Sequence, residues 1–308
     1  MMVKFVETLI NGLSLGSVYA LIALGYTMVY GILKFINFAH ANVFMIGAWL
    51  SYLIATKSGF VDPTNPNLLA IPFVLFGSML ICGVMGVVIE KLAYAPLRNE
   101  ERLNILITAI GVSLLLENAM QLDYLFGTQP VGMPVLFDNS VVTTLAGAKI
   151  YLVDLLGVSL ALVLMGALHW LVFHTRMGSA MRAVASSPQN AALMGISAGW
   201  VIGLTFFLGS ALAAAAGFFY ASKFVSLQSP GNTTWVLLGI KAFVAAVVGG
   251  IGNINGAVLG GILIGLLEMY GSAYLNPDYK DVYVFVVLIV VLLVKPTGIL
   301  GKSEMEKV

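Results

Sequence analysis

Charge is what this chain has least of. Asp, Glu, Lys and Arg make up 9% of its 308 residues, against about 25% in a soluble globular domain, so an ordinary water-facing surface is excluded. The formal net charge of +1 leaves no electrostatic footprint for nucleic acid or an acidic substrate. A single cysteine, Cys82, excludes an internal disulfide; it lies in the apolar run 75–89 and reads as a small buried hydrophobe. No cluster of Cys, His or carboxylates has the spacing of zinc ligands, so no metal is expected. No polar stretch is long enough to fold as a catalytic domain of ordinary size.

Apolar sequence is what remains. Hydrophobic residues reach 60% and the mean hydropathy is +0.99. The first apolar stretch, about 5–33, is far longer than a signal-peptide core and has no convincing cleavage site after it, so it is expected to stay. A bilayer core of about 30 Å needs roughly 20 apolar residues per helix. By that measure nine segments stand out, at about 7–32, 36–56, 68–93, 103–125, 153–173, 199–221, 234–251, 255–273 and 281–296. The expected fold is an all-α polytopic membrane protein forming one transmembrane domain over 1–308. It has nine transmembrane helices, or eight if the first or seventh segment is re-entrant.

Loop charge sets the orientation. With the C-terminus in the cytoplasm and every segment crossing, Lys34, Lys91, Arg98, Arg102, Arg176, Arg182, Lys295, Lys302 and Lys307 fall inside. Lys4, Lys57, Lys149, Lys223 and Lys280 fall outside. Two loops are long: an outer one at 126–152, expected to pack on the membrane domain, and a cytoplasmic one at 175–198.

The cytoplasmic loop holds a short capped helix. Ser187 suits an N-cap, Pro188 the first helical position, and Gly195 the left-handed residue that ends a helix. The two turns enclosed are well short of the roughly 12–15 residues at which an isolated helix becomes marginally stable. Something must hold it, either the membrane domain or a partner.

Three motifs fail on inspection. The tail Pro296-Thr297-Gly298-Ile299-Leu300-Gly301-Lys302-Ser303 imitates a phosphate-binding loop, but Pro296 replaces the first glycine and a membrane helix precedes it. Pro296 instead ends the last span, with Lys302 at the cytoplasmic headgroups. The run Gly250 to Asn255 resembles a dinucleotide fingerprint but lacks the third glycine and the βαβ setting. Ser113 and Ser159, with His169, raise intramembrane proteolysis. Yet Ser159 and His169 share one segment, about 15 Å apart along a helix, beyond a nucleophile–base hydrogen bond.

The apolar pattern breaks in two places. In the turn from Lys34 to Asn42, Asn37, His40 and Asn42 are crowded among aromatic and small residues. Polar groups at membrane depth line a cavity or pack inside protein, so these three are candidates for a pathway, the alternative being a tight interfacial turn. From Ile240 to Gly261, glycines recur every four residues at Gly252, Gly256 and Gly260. That stripe suits close helix packing, or a broken helix whose free N–H groups meet a carboxylate. Lys241 sits inside its span and either snorkels to the outer headgroups or pairs inward with Glu268 or Glu117. A faint repeat links Ile10-Asn11-Gly12, Leu15-Gly16 and Tyr26 to Ile254-Asn255-Gly256, Leu259-Gly260 and Tyr270 at identical spacing, as in duplicated transporter halves.

At these residues the chain resembles the permease subunits of bacterial ABC importers for branched-chain amino acids, and more closely the shorter of the two paired types. The matching stretches are 11–21, from Asn11-Gly12-Leu13 to Tyr19-Ala20-Leu21, then 25–31, from Gly25-Tyr26-Thr27 to Tyr30-Gly31, Ile36-Asn37-Phe38-Ala39-His40, Arg182-Ala183, Gly195-Ile196, Gly239-Ile240-Lys241-Ala242-Phe243 into Gly249-Gly250-Ile251-Gly252, and Pro296-Thr297-Gly298-Ile299-Leu300-Gly301. Ala41 departs from the family's usual glycine, Asn42 from a common carboxylate, and Ser186-Ser187 from an often acidic pair. The resemblance implies a second homologous permease, two cytoplasmic ATPase subunits and a solute-binding protein outside the inner membrane. ATP would be used by the partners, with no cofactor bound here. Ser187, Pro188, Gln189, Leu193, Met194 and Gly195 would form the coupling helix. Asn37, His40, Asn42, Glu117, Lys241 and Glu268 are the candidate substrate pathway. Leucine, isoleucine or valine would cross unchanged by alternating access; relatives carry other amino acids, urea or short amides. An ion-coupled transporter built on Glu117, Lys241 and Glu268 is the competing class.

Overall fold

The computed structural model describes residues 1–58, 70–98, 100–136, 139–145 and 147–301. Each of the nine apolar segments is helical, as burying backbone away from water requires. In chain order they are α1 (Met2–Leu33), α2 (His40–Lys57), α3 (Ala70–Ile89), α4 (Arg102–Met120) and α5 (Leu152–His174), followed by two short helices, α6 (Arg176–Ser186) and α7 (Pro188–Leu193). Then come α8 (Ala198–Phe224), α9 (Thr233–Gly249), α10 (Ile254–Tyr274) and α11 (Lys280–Val294). A π turn at Glu90–Tyr94 and a 3₁₀ turn at Ala95–Leu97 extend α3. Among the described residues six helices are long and apolar enough to cross a membrane: α1, α3 with its extension, α4, α5, α8 and α10. At 17 and 15 residues, α9 and α11 measure only about 25 and 22 Å.

The protein is mostly helical, with a small strand component the sequence did not announce. In the loop 126–152, β2 (Val141–Leu145) and β3 (Ala148–Tyr151) form an antiparallel hairpin. Upstream, β1 (Val131–Gly132) pairs with β4 (Ser226–Leu227), just after α8. The loop is packed: Phe126 stacks on Trp49 at 5.2 Å, and Met133 and Leu136 are buried.

This hairpin marks one end of the bundle and α6–α7 the other. The start of α1 lies at the hairpin end, where Lys4 donates to the Ala273 carbonyl and Phe5 meets Tyr270. The chain's last described residues lie at the opposite end. There the amides of Ile299 and Leu300 donate to the carbonyls of Val248 and Gly249 at 2.8 and 2.9 Å, satisfying acceptors that the end of α9 leaves open. Those bonds and the positive φ of Gly298 (81°) give residues 296–301 a structural role in closing the end of α9. Lys302, Ser303 and Lys307 lie outside the described residues.

The core is built around α1 and α8, whose apolar windows are each 83% buried. Small residues let the helices approach closely. A Cβ on Gly261 or Gly265 of α10 would run into the backbone of Ala20 or Gly16 of α1. Gly256 and Gly260, on another face, meet Gly249 and Ala245 of α9. The third member of the expected stripe, Gly252, is not a packing residue. It occupies the α9–α10 turn at φ 91°, ahead of the helix that Asn253 caps through the amides of Asn255 and Gly256.

Candidate functional site

The polar turn between α1 and α2 folds inward. Lys34 ends α1 in the left-handed region at φ 56°, which swings 35–39 back beneath the bundle. Asn37, His40 and Asn42 are 5%, 2% and 1% exposed, so none faces open solvent. The Asn37 side-chain oxygen accepts from the Ala39 amide at 3.1 Å and from the Tyr94 hydroxyl at 2.7 Å. The π turn in α3 brings Tyr94 there. The His40 ring fills the space left by the missing side chain of Gly25 and meets the edge of Tyr26 at 4.7 Å. Asn42 donates to the carbonyl and hydroxyl of Ser113 on α4. All three are buried, and Asn37 and Asn42 tie α2 and its approach to α3 and α4.

A second constellation lies toward the hairpin end. Lys241 on α9 is 3% exposed, and its ammonium sits 2.7 Å from Glu268 Oε1 on α10 and 2.5 Å from Asp281 Oδ1 on α11. The other Glu268 oxygen accepts from the Tyr19 hydroxyl of α1 at 2.8 Å. Four helices therefore converge on one carboxylate–ammonium core. Of the two alternatives for Lys241, the inward pairing is the one its side chain makes. A helical Cβ points toward the helix N-terminus, here the hairpin end, so the stem runs toward that end. Because Gly249 lies against Gly256 and Ala245 against Gly260, Glu268 is about one turn nearer the hairpin end than the residue level with Lys241. A cavity of about 460 Å³ opens beside the cluster, with Lys280, Thr234 and Tyr220 in its wall.

The inward partner of Lys241 is Glu268, and Glu117 plays no part in this cluster. Glu117 is half-buried on α4, where its backbone carbonyl accepts from Gln121 at 3.2 Å. Sequence reasoning missed Asp281 and Tyr19. A carboxylate opening the last apolar run was the available signal for the first; the second had none. It also missed the ion pair of Glu90 with Arg98 and that of Asp154 with Lys223 at 2.7 Å, which Asn11 supports at 3.1 Å. The protease candidates are structural: Ser113 accepts from Asn42, Ser159 bonds the Leu156 carbonyl at 3.1 Å, and His169 lies 3.1 Å from Asn255 Oδ1. Among the described residues no group of His, Cys, Asp or Glu is placed to hold a metal ion.

At the opposite end, α6 and α7 form a small helical shelf. Thr175 caps α6 through the Gly178 amide at 3.1 Å and Ser187 caps α7 through the Asn190 amide at 3.2 Å. Only Ala191 of α7 is buried. Leu193 closes the helix and Met194 is its C-cap. Both stand almost free, at 86% and 83% exposure, and Gly195 takes the left-handed φ of 80°.

Residues 8–292 match the family model described as "branched-chain amino acid transport system / permease component". The chain belongs to this permease family. It is 44% identical to the high-affinity branched-chain amino acid transport system permease protein LivH of Escherichia coli K12, over 99% of this chain and 98% of that one. It is 40% identical to the corresponding BraD of Pseudomonas aeruginosa, again over 99% and 98%. A probable branched-chain amino acid transport permease of Methanocaldococcus jannaschii is 27% identical over 91% and 88%. For a permease of this family the three constellations divide by position: a buried polar turn, a charged cavity at one end, and an exposed apolar pair at the other.

Proposed function

We propose that this chain is the membrane-spanning subunit of an ATP-driven importer and forms part of the pathway for leucine, isoleucine and valine. Its relatives are named for branched-chain amino acid transport, which supports the cargo. The observation that carries the mechanism is the exposure of Leu193 and Met194, 86% and 83%, on a capped helix too short to stand alone. Two large apolar side chains presented to water at the end of a braced shelf fit a groove in a partner. That partner is an ATPase subunit, and α7 is the coupling helix.

In this reading the α6–α7 end and the C-terminus are cytoplasmic, in the bacterial inner membrane. All nine apolar helices cross, α2, α9 and α11 as the shorter spans, which accords with the start of α1 and residue 301 lying at opposite ends of the bundle. A second homologous permease completes the pathway, two ATPase subunits bind below, and a solute-binding protein docks at the hairpin end. ATP is hydrolysed by the partners, and this chain contributes no catalytic residue or cofactor. The buried turn of Asn37, His40 and Asn42, together with Glu117, Lys241 and Glu268, borders the route.

The test is the double substitution of Leu193 and Met194 by Asp in the complex reconstituted with its ATPase and binding protein. ATP-driven leucine uptake should be lost while the protein still inserts and binds its second permease. Unchanged uptake would refute α7 as the coupling element. Uptake by this chain alone, under an ion gradient without ATP, would overturn the importer reading.

A further inference from the structure

The cavity at the hairpin end has a charge arrangement that the helix-bracing role does not explain. In its depth Lys241 and Glu268 are each less than a tenth exposed and pair at 2.7 Å, so they neutralise one another. Tyr19 satisfies the remaining Glu268 oxygen. Above this pair stands Asp281, whose side chain is 36% exposed. It is a second carboxylate against an ammonium that already has one. Lys280, exposed and part of the same wall, supplies a second cation at the mouth. The outer rim therefore offers one accessible negative and one accessible positive group. Leu15, Phe224, Leu237, Leu238, Met269 and Pro277 form the apolar part of the wall.

We propose that this cavity is a docking site for a zwitterionic amino acid with a small apolar side chain. Its α-ammonium is read by Asp281, its carboxylate by Lys280, and its aliphatic end lies against Leu237 and Leu238. The volume of about 460 Å³ is within the range of about 300–1,000 Å³ typical of small-molecule pockets. Mostly apolar walls with a few convergent polar groups are the usual composition of such sites. The buried Lys241–Glu268 pair anchors the floor, and the second contact of Lys241, to Asp281, gives way when a ligand ammonium takes its place. This inference rests on the importer reading and names where, on this chain, the cargo first meets a charged site.

The experiment uses the permease–ATPase complex in nanodiscs, without binding protein, and saturation-transfer NMR with three probes. Leucine carries both charges, 3-methylbutylamine only the ammonium, and 4-methylpentanoate only the carboxylate. Leucine should bind about fivefold more tightly than either analogue, the scale of a part-exposed charge contact. Asp281→Asn should erase its advantage over 4-methylpentanoate, and Lys280→Ala its advantage over 3-methylbutylamine. Lys280 is exposed, so its variant keeps the test open if Asp281→Asn fails to fold. Equal binding of all three probes by the wild-type complex, or preferences unchanged in the folded variants, would overturn the proposal. A failure of the importer reading would show separately, as absent ATP-driven leucine uptake by the complete wild-type system.

Discussion

Asn42 on α2 reaches α4 through one amide nitrogen, 2.6 Å from the backbone carbonyl of Ser113 and 2.8 Å from its hydroxyl. The contact matters because α4 is loosely held: only 11% of its apolar window is buried, against 83% for α1 and α8. A helix with so little packing depends on the few polar ties it makes.

Replacing Asn42 with Ala should therefore loosen α4 by about 0.6–2 kcal/mol, the range for hydrogen bonds between membrane helices. Ser113→Ala removes the hydroxyl but keeps the carbonyl acceptor, so its effect should be smaller. Thermal unfolding of the detergent-solubilised protein measures both. Equal losses would mean the hydroxyl carries the tie.

The charged core predicts an order of severity. Lys241→Met would leave Glu268 without its cation and Asp281 without its nearest one. Removing one partner of a buried pair costs about 3–5 kcal/mol. Glu268→Gln is milder, because Lys241 keeps Asp281 at 2.5 Å and a neutral amide can still accept from Tyr19. Combining the two should restore part of the loss, since Glu268 then carries no unpaired buried charge and only the part-exposed Asp281 still lacks its nearest cation. Thermal stability of the three variants gives the answer, and a double variant as damaged as the sum of the singles would contradict it.

Nearly all the long helices were legible in the sequence, because in a membrane apolar length alone decides where a helix can form. The Ser187 and Gly195 signals located α7 for a similar reason: caps are local chemistry. What was not legible is long-range. Tyr19 and Glu268 are 249 residues apart, and Asn37 and Tyr94 are 57 apart, so no spacing rule joins them. The choice between Glu117 and Glu268 for Lys241 turned on the α9–α10 hairpin, where glycine contacts fix the level of the two helices. The spacing of Gly252 fits a helical stripe. Its backbone, at φ 91°, shows that it serves the turn.

Close approach of α1 and α10 makes a sharp contrast possible. A side chain on Gly265 would collide with the backbone of Gly16, and neither helix can yield without displacing the core. Gly265→Leu should prevent a monodisperse fold, seen by fluorescence-detected size exclusion. At Gly111 of α4 a Cβ meets nothing within 4 Å, so Gly111→Leu should elute as wild type in the absence of partners. If both variants behave alike, glycine packing is not what holds the α1–α10 seam.

The cap on α7 supplies the last test, and it separates helix order from side-chain contact. Ser187 accepts from the Asn190 amide at 3.2 Å, and losing such a cap typically costs about 1 kcal/mol. In a six-residue helix that is enough to lower the ratio of ordered to disordered helix about fivefold. Ser187→Ala should then weaken binding-protein-stimulated ATP hydrolysis while leaving Leu193 and Met194 in place. Asp at 187 can cap the same amide, and its negative charge suits a helix N-terminus, so Ser187→Asp should restore the coupling that Ala loses. An Asp variant as uncoupled as the Ala variant would show that the hydroxyl does something other than hold the helix, most directly a contact with the ATPase itself.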